Sequence, residues 1–386
     1  MENKRGMGRL KGGAPFSIPF IFLLLAWSEA WAGAPAPAPA VTTPGPHRPE
    51  HQIANLGDFR FESGEIVKDF KVSYVTHGKL SAKKDNVILV MDSFTSNHHV
   101  FDYLIGSGKA LDPDKYFVVA TDGLGNADLS SDLTTGPTNS GLKIEFPRYT
   151  LRDSVSADYK LLREYLGVDH LLVATGGSMG AMKALQFAIN YPAYISGVIP
   201  INGGPVTNPQ VKAMIRNWMD IIALDPGWHG GNYEVNPTTG LVTALMNFVP
   251  WYYTPQWFEL NAKTPDAYLA FKKRWHDTWT IRSPKDARDI YYRWQAWADF
   301  NVGDTPGFKG DAAAALRSIK AQVLIIGSKG DQLVRREELI FAKNHISGAT
   351  LIELDSPLGH LAPFGFDPDL TKLVDREIAG FLSKLR

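Results

Sequence analysis

The chain has 386 residues, 44% of them hydrophobic, with 40 basic side chains against 40 acidic ones. That length can bury a large core and suits one big α/β domain with an insertion, or two modest domains; a net charge of zero gives no basis for nucleic acid or an anionic membrane as partner. With no cysteine in the sequence, disulfides, thiolate zinc sites, cysteine catalysis and lipid attachment at an N-terminal Cys are excluded.

Residues 1–32 read as a targeting segment. Lys4, Arg5, Arg9 and Lys11 make a basic start, residues 16–27 are uncharged and mostly apolar, and Ala30-Trp31-Ala32 offers small residues for cleavage. About twelve apolar residues fall short of the ~20 that span a bilayer. The expectation is therefore a cleaved signal peptide and a periplasmic or secreted protein that no further segment holds in a membrane. Residues 33–51 are rich in Pro and Ala, cannot bury enough surface to fold, and read as a linker, with folded structure starting near Ile53.

Beyond it, short apolar runs alternate with amphipathic helical patterns, as in a mostly parallel sheet flanked by helices. Buried strands are expected at 87–91 (VILVM), 116–120 (YFVVA), 171–175 (LLVAT), 198–201, 323–327 (VLIIG) and 350–354 (TLIEL). Helices are expected at 152–166 and 179–190. Between about Gly203 and Ala312 the strand pattern stops. Thr254-Pro255, Thr264-Pro265 and Ser283-Pro284 each read as a helix start, the hydroxyl capping orphan amides and Pro losing nothing at the first position. The stretch also holds all eight tryptophans outside the first 32 residues. We read 204–311 as a helical lid inserted into a core formed by 52–203 and 312–386, with most tryptophans packing lid helices and some lining an apolar entrance.

Gly176-Gly177-Ser178-Met179-Gly180 follows a buried strand and opens a helix, the setting of a nucleophile elbow. The tight turn needs small residues at Gly176 and Gly180, and it raises Ser178 at the top of the sheet beside a helix N-terminus that favours a developing anion. A serine hydroxyl needs a base and an orienting carboxylate, in the chain order Ser, acid, His. His360, in the turn after 350–354, is the best base. His47 and His51 lie in or beside the linker, His229 and His276 in the lid, His77 and His170 before strands, and His345 in a late helix. His98 and His99 follow a strand end and could line the site. Asp331, just past 323–327, is the best acid; its competitor Asp355 shares a strand end with His360 and would crowd it.

Backbone amides of Met179 and of the loop 92–95, best placed at Phe94, are expected to form the oxyanion hole. No ligand spacing of the H-E-x-x-H kind predicts a metal, and Gly123-Leu124-Gly125 lacks the rest of a dinucleotide fingerprint, so no cofactor is expected.

On these residues, and on 56–80, 146–155 (FPRYTLRDSV), 176–192 (GGSMGAMKALQFAINYP), 225–233 (DPGWHGGNY) and 356–360 (SPLGH), the chain resembles the homoserine O-acetyltransferase family of α/β-hydrolases. The resemblance implies the α/β-hydrolase fold, the triad Ser178, Asp331 and His360, a helical lid forming a tunnel to the serine, and a homodimer through that lid. It also marks departures. Family acetyltransferases usually carry an Asp directly after the catalytic His, which recognises the homoserine amine, and an Arg six residues before the Asp of the Asp-Pro pair. Here these positions are Leu361 and Met219. A Gly/Cys-rich segment before Thr-Gly-Pro is replaced by Gly125-Asn126-Ala127-Asp128-Leu129 before Thr135-Gly136-Pro137.

Without those charges a zwitterionic amino acid loses paired contacts and is desolvated at a cost. An exported enzyme would also not meet cytosolic acetyl-CoA, whereas water is always present. The expectation is an exported serine esterase acting on a small or apolar ester, with Thr95, Met219 and Leu361 lining the substrate pocket. The alternatives are an acyltransferase and a non-catalytic binding protein on the same scaffold.

Overall fold

A computed structural model describes residues 49–125 and 134–385. The basic start, the apolar run and most of the linker therefore lie outside the described residues, as does 126–129. Among the described residues no helix is long and apolar enough to cross a membrane.

The core is an eight-stranded sheet. Its strands are β1 (Gln52–Asn55), β4 (Lys71–His77), β5 (Val87–Met91), β6 (Phe117–Thr121), β7 (Leu171–Gly177), β8 (Ile195–Ile201), β9 (Gln322–Ser328) and β10 (Thr350–Leu354), while β2 (Phe59–Arg60) and β3 (Ile66–Val67) form a separate hairpin. The order is β1-β4-β6-β5-β7-β8-β9-β10. At one edge β4 pairs antiparallel with both β1 and β6, and the pairings from β6 through β10 are all parallel. All five residues of β5 are buried, Val87, Leu89 and Met91 in one apolar cluster and Ile88 and Val90 in another. Both faces of the sheet are covered, so its central strands read as unbroken apolar runs.

The expected strands are all present. Several are longer than read, as β7 runs two residues further to Gly177, and 116–120 is shifted by one to Phe117–Thr121. The structure adds β1 to β4, which an apolar-run search misses: β1 is mostly exposed, β2 and β3 are two residues long, and the largely buried β4 mixes Lys71, Ser73, Thr76 and His77 with its apolar residues. His77, expected before a strand, is the last residue of β4, the element that precedes β5.

Helices α1 (Leu151–Lys160) and α2 (Met179–Asn190) belong to the sheet domain. α1 widens into a π turn over Leu161–Tyr165, within the expected 152–166. Between β8 and β9 the described chain is helical: α3 (Pro209–Ala223), α4 (Thr238–Phe248), α5 (Pro255–Asn261), α6 (Pro265–Asp277), α7 (Ala287–Ala298) and α8 (Ala312–Arg317). α9 (Arg336–His345) and α10 (Pro368–Lys384) complete the chain. Thr254 and Thr264 cap α5 and α6 through their hydroxyls, with Pro next. Ser283-Pro284 does not start a helix. Asp286 takes that role for α7, accepting from the Arg288 amide, while the Ser283 hydroxyl accepts from Lys285 Nζ at 2.7 Å. A carboxylate three residues on takes the place of the hydroxyl as the cap.

Because β5 to β10 run parallel, their carboxyl ends share one edge. Asp92, Ser178, Asn202, Asp331 and His360 all lie just beyond those ends. In open α/β sheets this is the edge at which ligands bind.

Candidate active site

Ser178 joins β7 to α2 at φ 55° and ψ −117°. This left-handed backbone costs a non-glycine residue on the order of 1–3 kcal/mol and must be held by its surroundings. The Ser178 amide donates to Ile201 O at 2.8 Å. A Cβ at Gly176 would strike the Gly180 backbone, and one at Gly180 would strike the carbonyls of Met91 and Asp92. The two glycines expected from the motif are therefore fixed by close backbone approach. Gly177 is fixed as well, because a Cβ there would overlap the Phe364 ring.

Met179 is the first residue of α2, so its amide has no partner within the helix. The loop after β5 faces it. Ser93 donates its hydroxyl to Gly177 O at 2.8 Å, and its amide donates to Ser96 Oγ at 2.8 Å. The Phe94 ring stacks on Trp294 at 5.4 Å and also meets Trp297 and Phe248. Helices α4 and α7 thus pack directly on the loop that carries the expected second oxyanion donor.

His360 and Asp331 come together as expected. His360 Nδ1 lies 2.6 Å from Asp331 Oδ2, both side chains being buried. The other oxygen, Asp331 Oδ1, accepts from the amides of Leu333 (2.8 Å) and Val334 (3.0 Å), so the carboxylate cannot rotate away. Asp355 is exposed and pairs with Lys329. The Tyr252 ring stacks on His360 at 5.8 Å and 11°, with its hydroxyl 3.4 Å from Thr95 Oγ1; burial pushes that phenol above its ordinary range.

Leu361 shares the 3-10 turn with His360, and Met219 lies on α3; both are buried in the apolar cluster that includes Phe94 and Met179. Seven of the eight tryptophans, all but Trp251, are likewise buried there. A surface pocket walled by Glu62, Arg148, Thr150 and Asp299 includes none of Ser178, Asp331 or His360.

A family model described as alpha/beta hydrolase fold matches residues 86–365. The chain belongs to the alpha/beta hydrolase fold family. Within that family it is similar to the homoserine O-acetyltransferase of Nautilia profundicola, 31% identical over 340 residues that cover 78% of this chain and 90% of that one. It is also similar to an ethyl acetate hydrolase of Pseudomonas veronii, 28% identical over 86% of this chain and 95% of the relative. Among solved structures, the acetyl esterase MekB superposes with a TM-score of 0.79 at 26% identity, over 87% of this chain and 97% of the other. The chain is thus a divergent member of an alpha/beta hydrolase group of esterases and O-acyltransferases.

Three residues around this candidate site escape sequence reading. Asn202, fully buried at φ 49°, donates to His360 O at 2.8 Å and Ser328 Oγ at 3.1 Å, and accepts from the Ser328 amide at 2.8 Å. It ties the ends of β8 and β9 to the histidine turn, one residue from the Ile201 carbonyl that holds Ser178. Lys183 and Arg293 both pair with the fully buried Asp92, Arg293 Nη2 at 2.8 Å from Oδ2. Burial alone would raise the Asp92 pKa, but Arg293 and Lys183 hold it below the ordinary carboxylate value. Arg293 also donates to Ser93 O at 2.6 Å and approaches Met179 Sδ at 3.7 Å. A cation on α7 therefore reaches both expected oxyanion segments. The sequence signal was a lone lysine in the apolar helix MGAMKALQFAIN, which implies a buried partner charge.

His98 and His99 do not hang free at the site. His98 Nδ1 lies 2.9 Å from Asp122 and His99 Nδ1 3.0 Å from Asp102, and their rings gather with that of His51. Burial would depress the His98 pKa, but Asp122 raises it above the ordinary value.

Proposed function

We propose that this protein is a serine esterase that works outside the cytosol. Ser178 Oγ attacks an ester carbonyl as His360 takes its proton, and the amides of Met179 and Phe94 stabilise the oxyanion. His360 then gives the proton to the leaving alcohol, which leaves an acyl group on Ser178. Water, deprotonated by the same imidazole, releases the acid and restores the serine. Asp331 fixes the tautomer of His360 and stabilises its cation. The observation that carries this reading is the 2.6 Å His360–Asp331 bond, at the sheet edge where Ser178 takes its left-handed turn.

Water is favoured as acceptor by the buried, uncharged Met219 and Leu361, which leave an amino acid's charges unmatched. The ethyl acetate hydrolase and acetyl esterase relatives support a short acyl ester. The first 32 residues support export, by their basic start, apolar run and small-residue end. Exposed Leu224, Leu260, Leu269 and Ile281 on the helical insert support a homodimer that covers them.

The similarity to homoserine O-acetyltransferase favours a second reading, transfer of the acyl group to an alcohol. Loading the enzyme from p-nitrophenyl acetate and chasing with water, short alcohols or homoserine separates the two. Deacylation that no acceptor accelerates is expected; a large acceleration by homoserine would refute the hydrolase reading.

A further inference from the structure

The three histidines that converge at the carboxyl edge of the sheet have the geometry of a metal centre. His51 stands immediately before β1, and His98 and His99 end the loop that follows β5. His98 Nε2 is 2.9 Å from His51 Nε2, which is 3.3 Å from His99 Nε2, and the three rings each offer one nitrogen within 4.8 Å of the other two. Tetrahedral zinc at ~2.0–2.1 Å from each imidazole places ligand nitrogens about 3.3 Å apart. The His51–His99 pair already has that spacing, and the His51–His98 pair would open slightly.

The surrounding carboxylates fit as well. Asp122 and Asp102 face Nδ1 of His98 and His99 at 2.9 and 3.0 Å. A carboxylate on Nδ1 fixes the proton there and leaves Nε2 as a lone pair, the arrangement behind metal-bound histidine. Asp122 is itself anchored, accepting from the His98 amide at 2.7 Å. Three neutral imidazoles with two supporting carboxylates also balance the charge of a divalent ion. Oxygen-seeking Mg²⁺ and Ca²⁺ do not suit nitrogen ligands, whereas Zn²⁺ and its neighbours do.

We propose that His51, His98 and His99 bind one divalent ion of the zinc class through their Nε2 atoms, with solvent as the fourth ligand. The ion clamps the start of β1 to the loop 92–99, whose first half carries Ser93 and Phe94. The site is structural and independent of the chemistry at Ser178. Ligand spacing could not reveal it, because His51 lies 47 residues from His98.

The test uses the full chain without an affinity tag, stripped by chelator and titrated with Zn²⁺ by calorimetry and with Co²⁺ by absorption. One ion per chain, intense visible bands of tetrahedral Co²⁺ and a metal-dependent rise in Tm are expected. His51→Ala alters a half-buried residue outside the sheet and should melt like the parent in EDTA, yet lose affinity at least ~100-fold. Asp102→Asn should lose about 10–100-fold. No stoichiometric binding of either ion, or undiminished binding by His51→Ala, would overturn the assignment.

Discussion

Arg293 offers the sharpest test of how the helical insert serves the chemistry. Arg293→Met keeps the bulk of a buried side chain but removes its bonds to Asp92 (2.8 Å) and Ser93 O (2.6 Å). Asp92 keeps Lys183, so the carboxylate is not left without a counter-charge. The loss is then two charge-assisted hydrogen bonds at roughly 1.5–3 kcal/mol each, or a Tm drop of about 5–10 °C. Removing an oxyanion donor outright costs about 10²–10³ in kcat. Releasing the Ser93 carbonyl only loosens the loop, so kcat should fall roughly 10–100-fold with KM little changed, the pattern of a contact that matters in the transition state. Stopped-flow hydrolysis of p-nitrophenyl acetate reads both constants, and fluorophosphonate labelling of Ser178 should persist. A folded Arg293→Met variant with parental kcat would refute the positioning role. So would a defect confined to KM.

Gly177→Ala pushes a methyl into the Phe364 ring, which lies 5.9 Å from His360; it should cost ~1–3 kcal/mol and lower kcat, and Phe364→Leu should restore much of both. Strictly additive losses in the double variant would contradict that contact. Burial pushes the Asp158 carboxyl up to about 7, although Lys183 pulls the other way. Between about pH 4 and 7 the folded chain holds a proton that the unfolded chain releases, so this residue makes the protein less stable as pH rises through that window. Asp158→Asn should therefore gain Tm on the parent from pH 4 to 7 and hold that gain above it; a pH-independent difference would show that Asp158 is ionised throughout.

The parts of the site legible in the sequence are those whose chemistry is local. The elbow announces itself because Gly176, Ser178 and Gly180 must be neighbours for one tight turn, and β10 with its following turn places His360 within six residues. Asp331 is reached by elimination along the same strand edge. What stays hidden depends on separated segments. Asn202 matters only because β8 and β9 are adjacent in space. Arg293 matters because α7 lies across a loop some 200 residues earlier in the chain. The antiparallel edge was missed for a related reason: β1 is mostly exposed, and its residues pair by register with β4 rather than by an apolar run.

The central claim is that Ser178 is the nucleophile, and covalent labelling tests it most directly. A fluorophosphonate should modify the parent at Ser178 alone, as mapped by peptide mass spectrometry, with a burst of one p-nitrophenol per chain from the activated ester. Ser178→Ala should retain the parental melting profile, take no label, and lose on the order of 10⁴ or more in kcat. Undiminished ester turnover by Ser178→Ala, or labelling at another residue, would contradict the account.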